Sequence, residues 1–142
     1  VIQIKKVDTA KQLEDAYEIR KLVFVEEQQV PEEEEIDQYE QEATHFVVYA
    51  DNQVIGAGRV RYVNGFGKIE RICLAKTARG KGIGQKLMNA IESEIIRNGY
   101  TMAKLNAQRQ AEAFYTQLDY QTISEEFLDA GIPHVTMKKK LQ

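Results

Sequence analysis

Apolar residues in this chain recur at two spacings, and the switches between those spacings predict the order of elements. Ile2, Ile4 and Val7 predict a short opening strand. Thr9 with Gln12 three residues on predicts a capping box. Leu13, Ala16, Tyr17 and Arg20 then follow at helical spacing, with Val23 and Phe24 close behind, so a helix ends near Val25. Residues 28–42 hold few apolar side chains and include Pro31; they predict a long loop with a short helical turn. Residues 44–50, 54–62 and 67–74 read as three strands of an antiparallel meander, separated by Asp51-Asn52 and Asn64-Gly65. Ile83, Leu87, Met88, Ile91 and Ile95 mark a strong amphipathic helix that stops at Asn98-Gly99. A buried strand over 101–105, a helix over 108–118 and a strand over 120–123 come next. A short helix over 125–128, broken at Gly131-Ile132-Pro133, and a last strand over 134–137 complete the chain. The fold class is mixed α/β, with a mainly antiparallel first half, and residues 1–142 read as a single domain.

At 142 residues, 43% apolar and 29% charged, the composition is that of a soluble globular chain and not of a disordered one. There is no run of about 18 apolar residues to span a bilayer, and the first residues lack the apolar region of a signal peptide. The one cysteine, Cys73, excludes an internal disulfide framework. A cytoplasmic location, no membrane partner and no metal are expected: the two histidines stand far apart and the scattered acids lack ligand spacing.

The net charge of -3 conceals a partition. Between Leu22 and Gly58 there are ten acidic residues and no Lys or Arg, while the rest carries twelve acids against nineteen bases. A nucleic-acid binder is not expected to look like this. A protein that takes an anionic ligand in one place and a cationic one in another fits the pattern; a merely solvated Glu32 to Glu35 loop fits it too.

The most specific local feature is Arg79-Gly80-Lys81-Gly82-Ile83-Gly84, between a strand ending at Leu74 and the helix containing Leu87. Alternate glycines clear side chains from the turn, so backbone N–H groups and a helix N-terminus can converge on a phosphate or pyrophosphate. A nucleotide-triphosphatase loop needs Lys-Ser or Lys-Thr after its last glycine, and here Gln85 follows Gly84. A dinucleotide fold needs GxGxxG after the first strand of a βαβ unit, and this turn follows the antiparallel part instead.

With these residues the sequence resembles the GNAT superfamily of acyl-CoA-dependent N-acetyltransferases, close to a subgroup of small bacterial members. The resemblance is carried by four features: Glu70-Arg71-Ile72-Cys73-Leu74 followed by the turn at 79–84; Leu105-Asn106-Ala107; Ala113-Phe114-Tyr115 with Leu118 and Tyr120; and the segments 17–28 and 127–134. Lys76 stands where the family often has Pro, and Asp119 where it often has Gly. The resemblance implies a mostly antiparallel sheet, splayed at a parallel strand pair and flanked by helices. It implies acetyl-CoA as co-substrate and direct transfer of its acetyl group to a primary amine in a ternary complex. The alternative is a CoA-binding protein of the same fold with a sensory or structural role. Homodimers are common in the family, and nothing in the sequence locates an interface.

Carried over residue by residue, the resemblance places the pantetheine arm along the backbone of Ile72, Cys73 and Leu74. It places the pyrophosphate on Arg79, Gly80, Lys81, Gly82, Ile83 and Gly84, and Asn106 beside the pantetheine. Tyr115 is implied as the general acid for the leaving thiolate. For the base, strict alternation puts Glu70 on one strand face with Ile72 and Leu74; His45 and His134 are alternatives, and so is the absence of a dedicated base. The same alternation turns Cys73 to the other face, toward a helix, as a structural thiol. Arg20, Phe24 and Glu26 are expected walls of the acceptor site, where the first helix and the 28–42 loop cover the open end of the sheet.

Overall fold

The computed structural model describes all residues from Val1 to Gln142. After strand β1 (Ile2–Lys6), the Thr9 hydroxyl accepts the Gln12 N–H at 3.1 Å and the Gln12 side chain accepts the Thr9 N–H at 3.3 Å. This reciprocal cap starts helix α1 (Ala10–Arg20) where the sequence places it. The helix runs on past the expected end near Val25 by widening into a π-helical segment, Lys21–Glu27, in which the Gln28 N–H reaches back to the Val23 carbonyl at 3.0 Å. Within the long loop lies the expected helical turn, α2 (Glu32–Glu35).

Strands β2 (Thr44–Ala50), β3 (Gln53–Val63) and β4 (Phe66–Leu74) form the meander. Left-handed backbone at Asp51, Asn52, Asn64 and Gly65 makes both of its turns. Helix α3 (Ile83–Arg97), strand β5 (Met102–Gln108), a 3-10 turn at Arg109–Ala111 and helix α4 (Glu112–Gln117) follow. The strand expected over 120–123 shrinks to β6 (Gln121–Thr122). The helix expected over 125–128 does not form. Phe127–Asp129 is strand β7, joined by a tight turn at Ala130-Gly131 to the long strand β8 (Ile132–Lys140). Ala130 has φ 52°, a conformation its side chain does not advertise, so the turn carried only half of the usual hairpin signal.

The sheet order is β1-β2-β3-β4-β5-β8-β6, with β7 also on β8. Only β4 and β5 are parallel, and they pair from Gly67↔Ala103 to Ile69↔Leu105. Beyond that point the two strands separate. The larger core packs Leu87, Met88, Ile91 and Ile95 of α3 on one face of the sheet; the smaller packs Ala16, Ile19 and Val23 on Val47, Ala57 and Cys73 of the other. Each fully buried Leu, Ile or Met contributes about 1.5–3 kcal/mol of transfer free energy, so these two helix faces hold the splayed strands from both sides.

Candidate active site

Where β4 leaves β5, a cleft of about 440 Å³ opens, its walls formed by residues 69–74 on one side and 105–108 on the other. Val23 and Phe24 of the π-helical segment, Val30 and Glu34 of the acidic loop, the β7–β8 turn and Tyr115 complete it.

A bulge sets the local geometry of β4. The β3–β4 register slips between Ala57↔Cys73 and Arg59↔Glu70, and Arg71 takes φ 60°. The extra residue cancels the expected alternation. Ile72 packs with the larger core and Cys73 with the smaller, but Glu70 turns to the side of Arg59, opposite Ile72. The expectation that Glu70 shares a face with Ile72 and Leu74 is therefore corrected. The Glu70 carboxylate accepts from Arg59 Nε and Arg61 Nε, both at 3.0 Å. Burial would raise its pKa, but these two guanidinium groups outweigh that and hold it below the ordinary carboxylate value. A carboxylate held so is a poor proton acceptor.

His45 is corrected as well. It is buried outside the cleft, donating Nε2–H to the Glu40 carbonyl at 2.8 Å and meeting Tyr17 edge-on. Burial holds its pKa down, against the pull of Glu40. Arg20 does not face an acceptor either. It is 1% exposed, gives two hydrogen bonds to the Glu40 carboxylate at 2.9 and 2.7 Å, and binds Glu35 Oε2 at 2.9 Å. Glu26 lies outside the cleft, in a shallow groove with Lys11 and Asn52; of the three expected acceptor walls only Phe24 lines the cleft.

Four of the ten acids of the window, Glu27, Glu35, Asp37 and Glu40, are counter-charges for arginines. Arg59, 1% exposed and unremarked by sequence reasoning, holds Asp37 in a fork at 2.8 and 2.7 Å and binds Glu70. Arg71 donates to the Glu35 carbonyl at 3.2 Å and to Asp37 at 3.2 Å. Desolvation would raise Asp37 and Glu40, yet their arginine partners hold both at about 2. The signal was present: Arg20 and Arg59 stand near the two ends of a stretch of ten acids that contains no base.

Past Arg79, and outside the residues that line the cleft, Gly80 and Gly82 adopt φ 76° and 78°, and Gly82 caps α3. None of the six N–H groups from Gly80 to Gln85, including those of Lys81, Ile83 and Gly84, has an acceptor within the chain. Six unpaired donors at a helix N-terminus are able to receive an anion. Arg79 lines the cleft nearby, with its side chain on Glu27 at 2.7 Å and on the Leu74 carbonyl at 3.1 Å. From Glu70 onward the β5-facing edge of β4 has no strand partner; Cys73 pairs with Ala57 of β3 and the Leu74 carbonyl takes the Arg79 side chain, and the rest of that edge can pair with an extended ligand. The Cys73 thiol itself is buried among apolar groups, which pushes its pKa up to about 12. Asn106 lines the cleft and accepts the Thr136 hydroxyl at 2.8 Å, leaving its amide N–H₂ free.

Tyr115 packs edge-on to Phe114 at 4.9 Å and is 7% exposed. It lines the cleft, and its hydroxyl has no hydrogen-bond partner within the chain. Burial raises its pKa, so it stays protonated. Sequence reasoning passed over the Gln108 to Gln28 hydrogen bond at 2.8 Å, which ties β5 to the start of the acidic loop across the cleft wall.

A splayed parallel pair with a glycine turn leading into the next helix defines an acyl-CoA N-acyltransferase fold. Residues 9–141 match the acetyltransferase (GNAT) domain model, and the chain belongs to this family. It is 50% identical over 129 residues to the uncharacterized N-acetyltransferase YjcF of Bacillus subtilis, which covers 90% of this chain and 92% of that one. An acyl-CoA N-acyltransferase from Pseudomonas aeruginosa superposes with a TM-score of 0.85 at 27% identity, covering 98% of both chains. A GNAT family acetyltransferase from Elizabethkingia anophelis, solved with acetyl-CoA bound, superposes with a TM-score of 0.76 at 16% identity, covering 99% of this chain and 98% of that one.

Proposed function

We propose that this protein transfers the acetyl group of acetyl-CoA to a primary amine, by direct attack with both substrates in the cleft. The observation that carries the reading is the occurrence together, on β4, the turn that follows it and α4, of an open strand edge, six unpaired N–H groups at residues 80–85 and the unpartnered Tyr115 hydroxyl in the cleft. The turn holds the pyrophosphate, whose charge the α3 dipole favours. The free edge at Ile72 to Leu74 pairs with the amide groups of the pantetheine arm, and the Asn106 amide adds a donor on the facing strand. Both direct the thioester to the widening between β4 and β5, beside Tyr115. Tyr115, kept protonated by burial, gives its proton to the departing thiolate. The solved relative from Elizabethkingia carries acetyl-CoA on the same fold, which supports the choice of acyl donor. Cys73, buried and protonated, is not an acyl carrier, and this favours direct attack over an acyl-enzyme.

Titration calorimetry with acetyl-CoA and with CoA tests the donor site, and a panel of primary amines with detection of released thiol tests the transfer. Binding of both nucleotides and amine-dependent thiol release are expected. Absence of CoA binding would overturn the reading; tight binding with no release for any amine would leave a CoA-binding protein without transferase activity.

A further inference from the structure

With Glu70 neutralised and His45 outside the cleft, a different residue is placed to take the proton of the attacking amine. We propose that His134 is the general base, acting through Nε2. The inference rests on the acetyltransferase reading and adds to it the proton acceptor.

Three observations carry it. His134 lines the cleft shared with Tyr115, and its residue is 9% exposed. Its Nδ1 lies 2.6 Å from the Ile132 carbonyl oxygen. A carbonyl can only accept, so in the neutral ring the proton sits on Nδ1 and the lone pair is left on Nε2. Nε2 has no hydrogen-bond partner within the chain, and since no buried polar side-chain atom lacks one, Nε2 is open to solvent. The ring is held by stacking on Phe127 at 6.0 Å, across the β7–β8 ladder in which the two residues pair directly. On its other side His134 pairs with Gln108, which is tied to Gln28. An imidazole with fixed tautomer, fixed plane and one free basic nitrogen in a reaction cleft is arranged for proton transfer.

The transfer balances. The amine nitrogen bonds to the acetyl carbon and the carbon–sulfur bond breaks. One N–H proton passes to His134 Nε2, and the thiolate takes the Tyr115 O–H proton. Solvent then removes the proton from His134 and restores the one on Tyr115. The titratable groups that share the cleft with His134 are Glu34, Glu35, Lys68, Glu70, Cys73, Asp129 and Tyr115, with Arg71 and Arg79 permanently charged.

Two measurements on the full chain saturated with acetyl-CoA test the assignment. Nitrogen-15 NMR of the imidazole, assigned by comparison with His134→Gln, reads the tautomer: a protonated Nδ1 and a bare Nε2 are expected, and a protonated Nε2 would overturn the proposal. Thiol release with n-propylamine as probe is then followed against pH. The parent is expected to lose rate toward acid. His134→Gln should lose at least about 100-fold of that rate and the acid limb with it, and added imidazole should restore part of the rate in His134→Ala. An acid limb that survives in His134→Gln would overturn the proposal. Should n-propylamine release no thiol even in the parent, the tautomer alone decides. Acetyl-CoA calorimetry on each variant reports the donor site separately, so a failure of the underlying reading is seen as lost binding in the parent.

Discussion

Glu70 and Arg59 face each other across the β3–β4 ladder, and Arg59 Nε donates to Glu70 Oε1 at 3.0 Å. The pair exists because a bulge at Arg71 turns Glu70 away from the face that holds Ile72. Glu70→Gln is therefore expected to destabilise the protein, by about 1.5–3 kcal/mol for a lost charge-assisted hydrogen bond, and to leave the acid limb of the pH–rate profile where it is. Urea unfolding and the profile of thiol release check the two halves; a displaced limb would return Glu70 to the chemistry.

Tyr115→Phe removes one oxygen from a side chain whose ring is packed and whose hydroxyl has no partner in the chain. Acetyl-CoA affinity and the melting temperature should stay close to the parent, while turnover should fall by about 10²-fold or more, as for loss of a positioned acid. Calorimetry and single-turnover thiol release separate these effects. An unchanged rate and pH profile would assign Tyr115 to packing alone.

Acid should unfold the protein through Asp37 and Glu40. Both are held at about 2 in the fold, against ordinary values of 3.8 and 4.5. A depressed folded pKa gives stability that is fully present above the unfolded value and is lost as the folded value is approached. Stability should thus be level down to about pH 5 and fall between about pH 4.5 and about 2, as denaturant melts at stepped pH would show.

Arg20→Met tests whether Arg20 belongs to the scaffold. It leaves the Glu35 and Glu40 carboxylates short of a buried counter-charge, at a cost of about 3–5 kcal/mol. The Arg20→Met, Glu40→Leu double variant, with two fewer buried charges, should recover part of that loss. Chemical denaturation of both variants reads the difference.

Gly82→Ala keeps the space around the turn open, since a Cβ there meets nothing within 4 Å, but the backbone stays at φ 78°. The strain of a left-handed alanine is about 1–2 kcal/mol. A small loss of melting temperature with a clear loss of acetyl-CoA affinity is expected. Loss of stability without loss of affinity would place the pyrophosphate elsewhere.

The residues differ in how much of this they disclosed. The cap at Thr9, the two meander turns and the amphipathic stripe of α3 are written in local patterns, so their elements fall where periodicity puts them. The glycine turn was legible because unpaired donors at a helix start need no distant partner. Alternation failed at Glu70, since nothing in Arg71 announces a left-handed backbone. Arg20 failed differently: a base beside an acidic stretch reads equally as a ligand for substrate or as a staple, and only the distance to Glu35 and Glu40 decides. His134 stood third among the candidate bases because its tautomer depends on the Ile132 carbonyl, a contact made by the hairpin turn that the sequence hid.

The widened end of α1 has a consequence for length. A π-helical stretch holds one residue more than an α-helix over the same rise, and here it spans Lys21–Glu27 beside the cleft wall. Deleting one residue within it would let the helix close to regular turns while what lies beyond keeps nearly its phase. The same deletion in the regular turns of α1 would rotate everything beyond by about 100° and swing Phe24 and Gln28 off the wall. The widened segment is a stretch of this helix that can give up a residue with the cleft wall kept in place.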